Sequence, residues 1–173
     1  MNKPNLKQER MSGAGSCGGI NYLKGLDDLC KFFKLDKSKI VLELGVSAGA
    51  STSLFAFYAK EVVGVDIIKT DEFEDVIEKY GNVSLKHGSV ADMVPKLPDK
   101  FFDLIYVDAN HQYESVKHDI LICLPKLKQN GIICGHDYLI NSQTLNGGVD
   151  MAVKELFPDK TIIIFEDSSW AVF

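Results

Sequence analysis

A chain of 173 residues has single-domain length and can bury a core without disulfides. At 46% hydrophobic and 25% charged residues it is ordinary globular material, and a net charge of −5 with scattered lysines excludes a nucleic-acid surface, which needs clustered Lys and Arg. Met1 to Ser12 is polar and no apolar run approaches the roughly 20 residues that cross a bilayer, so the expectation is a cytoplasmic protein without a secretory leader or membrane contact.

Residues 1–20 read as a flexible segment or lid ahead of a domain spanning 21–173. Gly13-x-Gly15-x-x-Gly18 matches a dinucleotide pattern literally, yet no strand precedes it, which favours linker or mobile lid over phosphate site. From Asn21 to Leu35, Tyr22, Leu23, Leu26, Leu29, Cys30, Phe32 and Phe33 keep a helical spacing. Ile40 to Leu44 is a short apolar, β-branched run and predicts a strand buried on both faces. Its one polar residue, Glu43, falls near the strand end, where a carboxylate can reach a ligand or a backbone N–H. Gly45 and Gly49 then allow a sharp turn and a close approach of ligand to backbone, with Ser51 or Thr52 starting a helix that runs to about Lys60.

Ser47 stands where a dinucleotide loop needs its second glycine and Ala50 where it needs its third, and no Gly-Lys-Ser/Thr follows for a P-loop. A second strand, Glu61 to Asp66, ends in a carboxylate suited to the two hydroxyls of a ribose. The pattern indicates a ligand with a ribose and no essential phosphate. Thr70 or Asp71 caps a helix that Gly81 stops, Val83 to His87 is a third strand, and Val90 to Leu97 a short helix ended by Pro98. Phe102 to Val107 is the fourth strand. Gln112 to Leu127 is a helix with Pro125 bending or ending it, and Asn130-Gly131 turns into a fifth strand over Ile132 to Gly135. After a loop from Asp137 to Gly147 come a helix to about Phe157 and two β-rich runs, Thr161 to Phe165 and Trp170 to Phe173, close enough for an antiparallel hairpin. Cys17, Cys30, Cys123 and Cys134 form no C-x-x-C pair and read as small buried hydrophobes in a reducing compartment.

Five alternations of strand and helix predict an α/β domain with a parallel sheet covered on both faces. Ligands in such sheets lie at the carboxyl ends of the strands, which singles out Gly45 to Ser51, Asp66, Gly88-Ser89, Asp108 to His111, and His136-Asp137. His87 and His118 read as solvated bystanders.

Glu43-x-Gly45-x-x-x-Gly49-x-Ser51, with Asp66 after the second strand, resembles the nucleoside-binding half of class I S-adenosylmethionine-dependent methyltransferases. Within that class it is most similar to small-molecule O-methyltransferases of the catechol O-methyltransferase and macrolide-sugar types. The resemblance covers about Gly18 to Phe173. It implies a Rossmann-like sandwich on a mostly parallel seven-stranded sheet of order 3-2-1-4-5-7-6, the last strand antiparallel, whereas a dinucleotide domain would end in a sixth parallel strand. It further implies cofactor contacts from Glu43, Gly45, Ser47, Gly49, Ser51, Asp66, Ser89 and Asp108. Ser89 would meet the adenine, although a helix N-cap explains the same serine.

Asp108-x-x-His111 puts a carboxylate and an imidazole on one loop beside the methyl donor. In the resembling enzymes a lysine occupies this place and takes the acceptor's proton; His111 keeps that role chemically reasonable, since imidazole titrates near neutrality. In the resembling families two acidic or amide residues after the fifth strand join the strand-four aspartate to hold a divalent metal, Mg²⁺. Asp108 and Asp137 match that pattern, whereas His136 departs from it because hard Mg²⁺ prefers oxygen. Two carboxylates with water and substrate suffice for Mg²⁺, or a softer Mn²⁺, Fe²⁺ or Zn²⁺ uses the His136 imidazole. The implied activity is methyl transfer to a hydroxyl of a sugar, polyketide sugar or catechol-like ring. Alternatives are a nicotinamide-dependent oxidoreductase, a cofactor-binding pseudoenzyme and, as a minor option, a metal-dependent hydroxylase-type activity. A homo-oligomer is a further expectation.

Overall fold

The structure, a computed structural model, describes residues 2–4, 6, 23–139 and 148–173. The Gly13 to Gly18 pattern, Cys17, the expected helix start at Asn21-Tyr22 and most of the 137–147 loop lie outside the described residues.

Seven strands form one sheet: β1 (Ile40–Leu44), β2 (Glu61–Asp66), β3 (Val83–His87), β4 (Phe102–Val107), β5 (Leu127–Gly135), β6 (Ile162–Ile164) and β7 (Trp170–Val172). Their order is β3-β2-β1-β4-β5-β7-β6, as expected. β1 to β5 pair in parallel, and β7 enters antiparallel between β5 and β6.

The helices are α1 (Lys24–Phe32), α2 (Ala50–Tyr58), α3 (Asp71–Tyr80), α4 (Val90–Met93), α5 (Tyr113–Cys123) and α6 (Val149–Leu156). Strand alternation separates two cores. Val41, Val62, Leu104 and Tyr106 pack with Leu26, Leu29, Leu54, Phe55 and Phe73 of α1, α2 and α3. Leu42, Val63, Ile105 and Ile133 pack with Val116, Ile120, Ala152 and Val153 of α5 and α6. Cys30, Cys123 and Cys134 are buried free thiols. Among the described residues no helix is long and apolar enough to cross a membrane.

Three local expectations are corrected. Asn130-Gly131 is not a turn: β5 already runs from Leu127, and a register shift opposite Phe102 and Leu104 absorbs the extra residues. The helix expected to Leu127 ends at Cys123, with Pro125 inside a single 3₁₀ turn over Leu124–Lys126. Ser51 and Thr52 do not start α2. Its N-cap is Gly49, in the left-handed region at φ 82°, without a side-chain cap.

Candidate active site

The hydroxyls of Ser51 and Thr52 turn back to the sheet instead. Glu43 shares a strand face with Val41, toward α2, and is fully buried. Ser51 Oγ donates to its Oε1, and Thr52 Oγ1 donates to Oε2 at 2.6 Å. Glu43 was expected to reach a ligand; its carboxyl is satisfied within the protein and ties α2 to β1, and Ser51 is engaged in the same contact.

Burial, opposed by the two hydroxyls, pushes the Glu43 carboxyl up to about 8 from an ordinary 4.5. A raised folded-state value means that its contribution to stability is complete below about pH 4.5 and is lost as pH rises through about 8. Glu43→Gln removes the ionisation and keeps one acceptor oxygen, the second hydroxyl turning to accept from the amide NH₂ as it would from a protonated acid. Its melting temperature is therefore expected to gain on the wild type between pH 5 and 8, a shift of one unit being worth about 1.4 kcal/mol. A flat difference across that range would show an unperturbed carboxyl.

The glycine loop lies at the carboxyl ends of β1 and β4. Gly45, at φ 82°, approaches so closely that a Cβ there would stand 2.2 Å from the Asp108 carbonyl oxygen. Asp66 closes the loop from β2: Oδ2 accepts from the N–H groups of Val46 at 2.9 Å and Ser47 at 3.0 Å, and Oδ1 from Ile68 N–H at 2.9 Å. The loop amides thus face a carboxylate, an arrangement that repels a pyrophosphate. Asp66 and Ser47 also line an open groove of about 880 Å³, shared with Gly45, Ser89, Asp108 and His111, a size suited to a small-molecule ligand. Ser89 is the N-cap of α4, accepting from Asp92 N–H at 3.1 Å and donating to Asp92 Oδ2 at 2.6 Å.

At the ends of β4 and β5, His111 Nε2 sits 3.4 Å from Asp108 Oδ1 and 3.0 Å from Asp137 Oδ2. The other Asp137 oxygen, Oδ1, lies 3.0 Å from His136 Nδ1. Asp137 makes both contacts from a left-handed backbone, φ 61°, which aspartate tolerates better than most residues. Trp170 Nε1 donates to the His136 carbonyl at 3.1 Å, anchoring the loop to β7.

One ligand atom each from Asp108, His111 and Asp137 lie within 4.8 Å of one another. His136, expected in the metal set, is outside that group and holds Asp137 from behind. Two carboxylates and an imidazole fit a divalent ion, and the nitrogen favours Mn²⁺, Fe²⁺ or Zn²⁺ over Mg²⁺.

The electrostatics correct the expectation of a histidine titrating near neutrality. Asp108 and Asp137 raise His111 to about 10, so without an ion it is an imidazolium at neutral pH. Burial pushes the Asp108 carboxyl up, whereas the two imidazoles hold Asp137 well below the usual carboxylate range despite its burial. His136 is raised to about 9 by Asp137 and Asp108, against its burial. The cluster is therefore built to hold one cation, a proton or a metal, between two carboxylates.

His87 is exposed, with Nε2 3.0 Å from the Ile67 carbonyl. His118 and Asp119, by contrast, line the groove. Position 119 lies three residues after Val116 and four before Cys123, on the buried face of α5; a carboxylate at that spacing was the signal that sequence reading missed.

A profile of a methyltransferase domain family matches residues 42–138, more than half of the chain. None of the curated proteins matches it. The YcgJ protein of Bacillus subtilis is 24% identical with a TM-score of 0.53, the match covering 64% of this chain and 49% of that one, so that this chain spans about half of it. The S-adenosylhomocysteine-bound methyltransferase PaMTH1 of Podospora anserina is 20% identical with a TM-score of 0.65, over 85% of this chain and 76% of that one. CalS11, a TDP-rhamnose 3'-O-methyltransferase of calicheamicin biosynthesis, is 18% identical with a TM-score of 0.67, over 85% and 76%. At these identities the likenesses carry the fold.

Proposed function

From the premise that this chain belongs to the methyltransferase domain family whose profile matches residues 42–138, we propose that it moves the methyl group of S-adenosylmethionine to a hydroxyl of a small molecule. The observation that carries this reading is the Asp108, His111 and Asp137 cluster, which gathers at the strand ends beside the groove that Gly45 and Asp66 line. Asp66 accepts three backbone N–H groups, which leaves one Oδ1 lone pair for a ribose hydroxyl, and the close packing of Gly45 leaves space above the loop for the rest of the cofactor.

A divalent ion held by Asp108, His111 and Asp137 would supply Lewis acidity that lowers the pKa of an acceptor hydroxyl. The chain's own part is orientation: in-line displacement at a sulfonium carbon requires the acceptor oxygen held behind the methyl group, and positioning of this kind supplies much of the rate. His136 and the left-handed backbone fix Asp137, and Asp137 with Asp108 fixes His111. The fold-level likeness to a TDP-rhamnose O-methyltransferase is consistent with a sugar acceptor. Against a nicotinamide-dependent oxidoreductase stand the antiparallel β7 and the carboxylate on the loop amides.

Thermal unfolding with S-adenosylhomocysteine or NADH tests the reading. S-adenosylhomocysteine at 100 times its dissociation constant is expected to stabilise the protein by about 2.7 kcal/mol, and NADH to do nothing. Stabilisation by NADH alone would overturn it.

A further inference from the structure

The groove extends past Asp108 between α4 and α5. Ser89, Val90 and Ala91 line it from α4 and its cap, and Ser115, His118 and Asp119 from α5. Asp119 is the odd residue of this wall. It shares the core-facing side of α5 with Val116, Ile120 and Cys123, and its side chain is only 9% exposed. Its contact is with the neighbouring, exposed His118, whose Nδ1 lies 3.3 Å from Oδ1. Burial accordingly pushes the Asp119 carboxyl up. A carboxyl held this way costs stability that an apolar side chain at the same position would not, so the position calls for a ligand that uses it.

Ser89, Asp66 and Asp108, side-chain acceptors along the same groove, already have roles. The Ser89 hydroxyl is bonded twice to Asp92. Asp66 accepts from the glycine loop and is assigned to the ribose, and Asp108 faces His111 within the cation cluster. Among the described carboxylates lining the groove, that leaves Glu114, exposed on the first turn of α5, and Asp119.

We propose that Asp119 accepts a hydrogen bond from the exocyclic amine of the cofactor's adenine, making it the residue by which the groove selects a 6-aminopurine over a 6-oxopurine. This assignment rests on the S-adenosylmethionine reading of the groove. The amine is a donor and matches a carboxyl oxygen; a 6-oxo group turns a lone pair toward that oxygen and is repelled.

The test is a cycle between the amine and the side chain, read by calorimetry. S-adenosylhomocysteine and its analogue with unsubstituted purine in place of adenine are titrated into the wild type, Asp119→Ala and Asp119→Leu. In the wild type, loss of the amine is expected to weaken binding by about 10- to 100-fold, the range for a hydrogen bond to a charged group. In either variant the same deletion should cost less than about threefold, because the partner is already gone. Asp119→Leu places an apolar side chain on a core-facing position and is expected to melt at or above the wild-type temperature, which keeps the cycle measurable if Asp119→Ala folds poorly. An equal penalty in wild type and variant, or none in the wild type, overturns the assignment of Asp119. Failure of the wild type to bind S-adenosylhomocysteine at all would instead overturn the cofactor reading on which it rests.

Discussion

Asp137→Ala is expected to remove measurable divalent-ion binding and to lower methyl transfer by about 10²-fold or more, the scale on which ligand-shell losses act, while S-adenosylhomocysteine affinity stays within about twofold. The asymmetry follows from where the residue sits. Asp137 faces His111 with one carboxylate oxygen and His136 with the other, and it is not among the residues lining the groove. Its loss leaves Asp108, whose carboxyl burial pushes up, as the one carboxylate of the cluster beside His111, so one of the two anionic groups that would hold a cation is gone. Titration of Mn²⁺ followed by electron paramagnetic resonance reports the ion, and calorimetry reports the cofactor. A wild-type protein fully active in excess chelator would show that the two carboxylates organise the loop through His111 alone.

β1, β2 and β4 were legible from local pattern because each is an apolar run, and the last two strands because only 166–169 separate their β-rich runs, whereas the order of the strands came from the family resemblance. Asp66 was legible as a strand-end carboxylate, but its bonds to Val46 and Ser47 were not, since they depend on how the loop after β1 folds over the end of β2. The pairing of Glu43 with Ser51 and Thr52 was hidden for a similar reason: it is set by the angle at which α2 leaves Gly49, and hydroxyls at a helix start look like caps whichever way they point.

Adjacency misled most at the metal set. His136 and Asp137 are neighbours in sequence and seem to serve one ligand, yet the positive φ of Asp137 aims its carboxylate so that one oxygen meets His111, 26 positions earlier in the chain, and the other meets His136. Asn130-Gly131 gives a strong turn signal that tertiary pairing with β4 overrides.

His111→Ala is expected to slow single-turnover methyl transfer by roughly 10²–10⁴-fold, and pH separates the two ways in which that loss can arise. Raised to about 10 by Asp108 and Asp137, His111 without an ion keeps its proton through neutrality and becomes a free base only as pH rises through about 10. A rate that depends on His111 as a free base would therefore climb toward pH 10, not level off above 6.5. As a ligand, the imidazole must give up the same proton when an ion binds, so ion affinity should rise with pH, by up to about tenfold per unit below that value. The geometry favours the ligand role, because His111 Nε2 is the atom that faces both carboxylates. The wild type is accordingly expected to bind Mn²⁺ more tightly from pH 6 to 9, and His111→Ala to bind it weakly with much of that pH dependence gone. Following the chemical step in a single turnover keeps product release from masking the loss. A variant with the wild-type rate and wild-type pH profile would remove His111 from both roles.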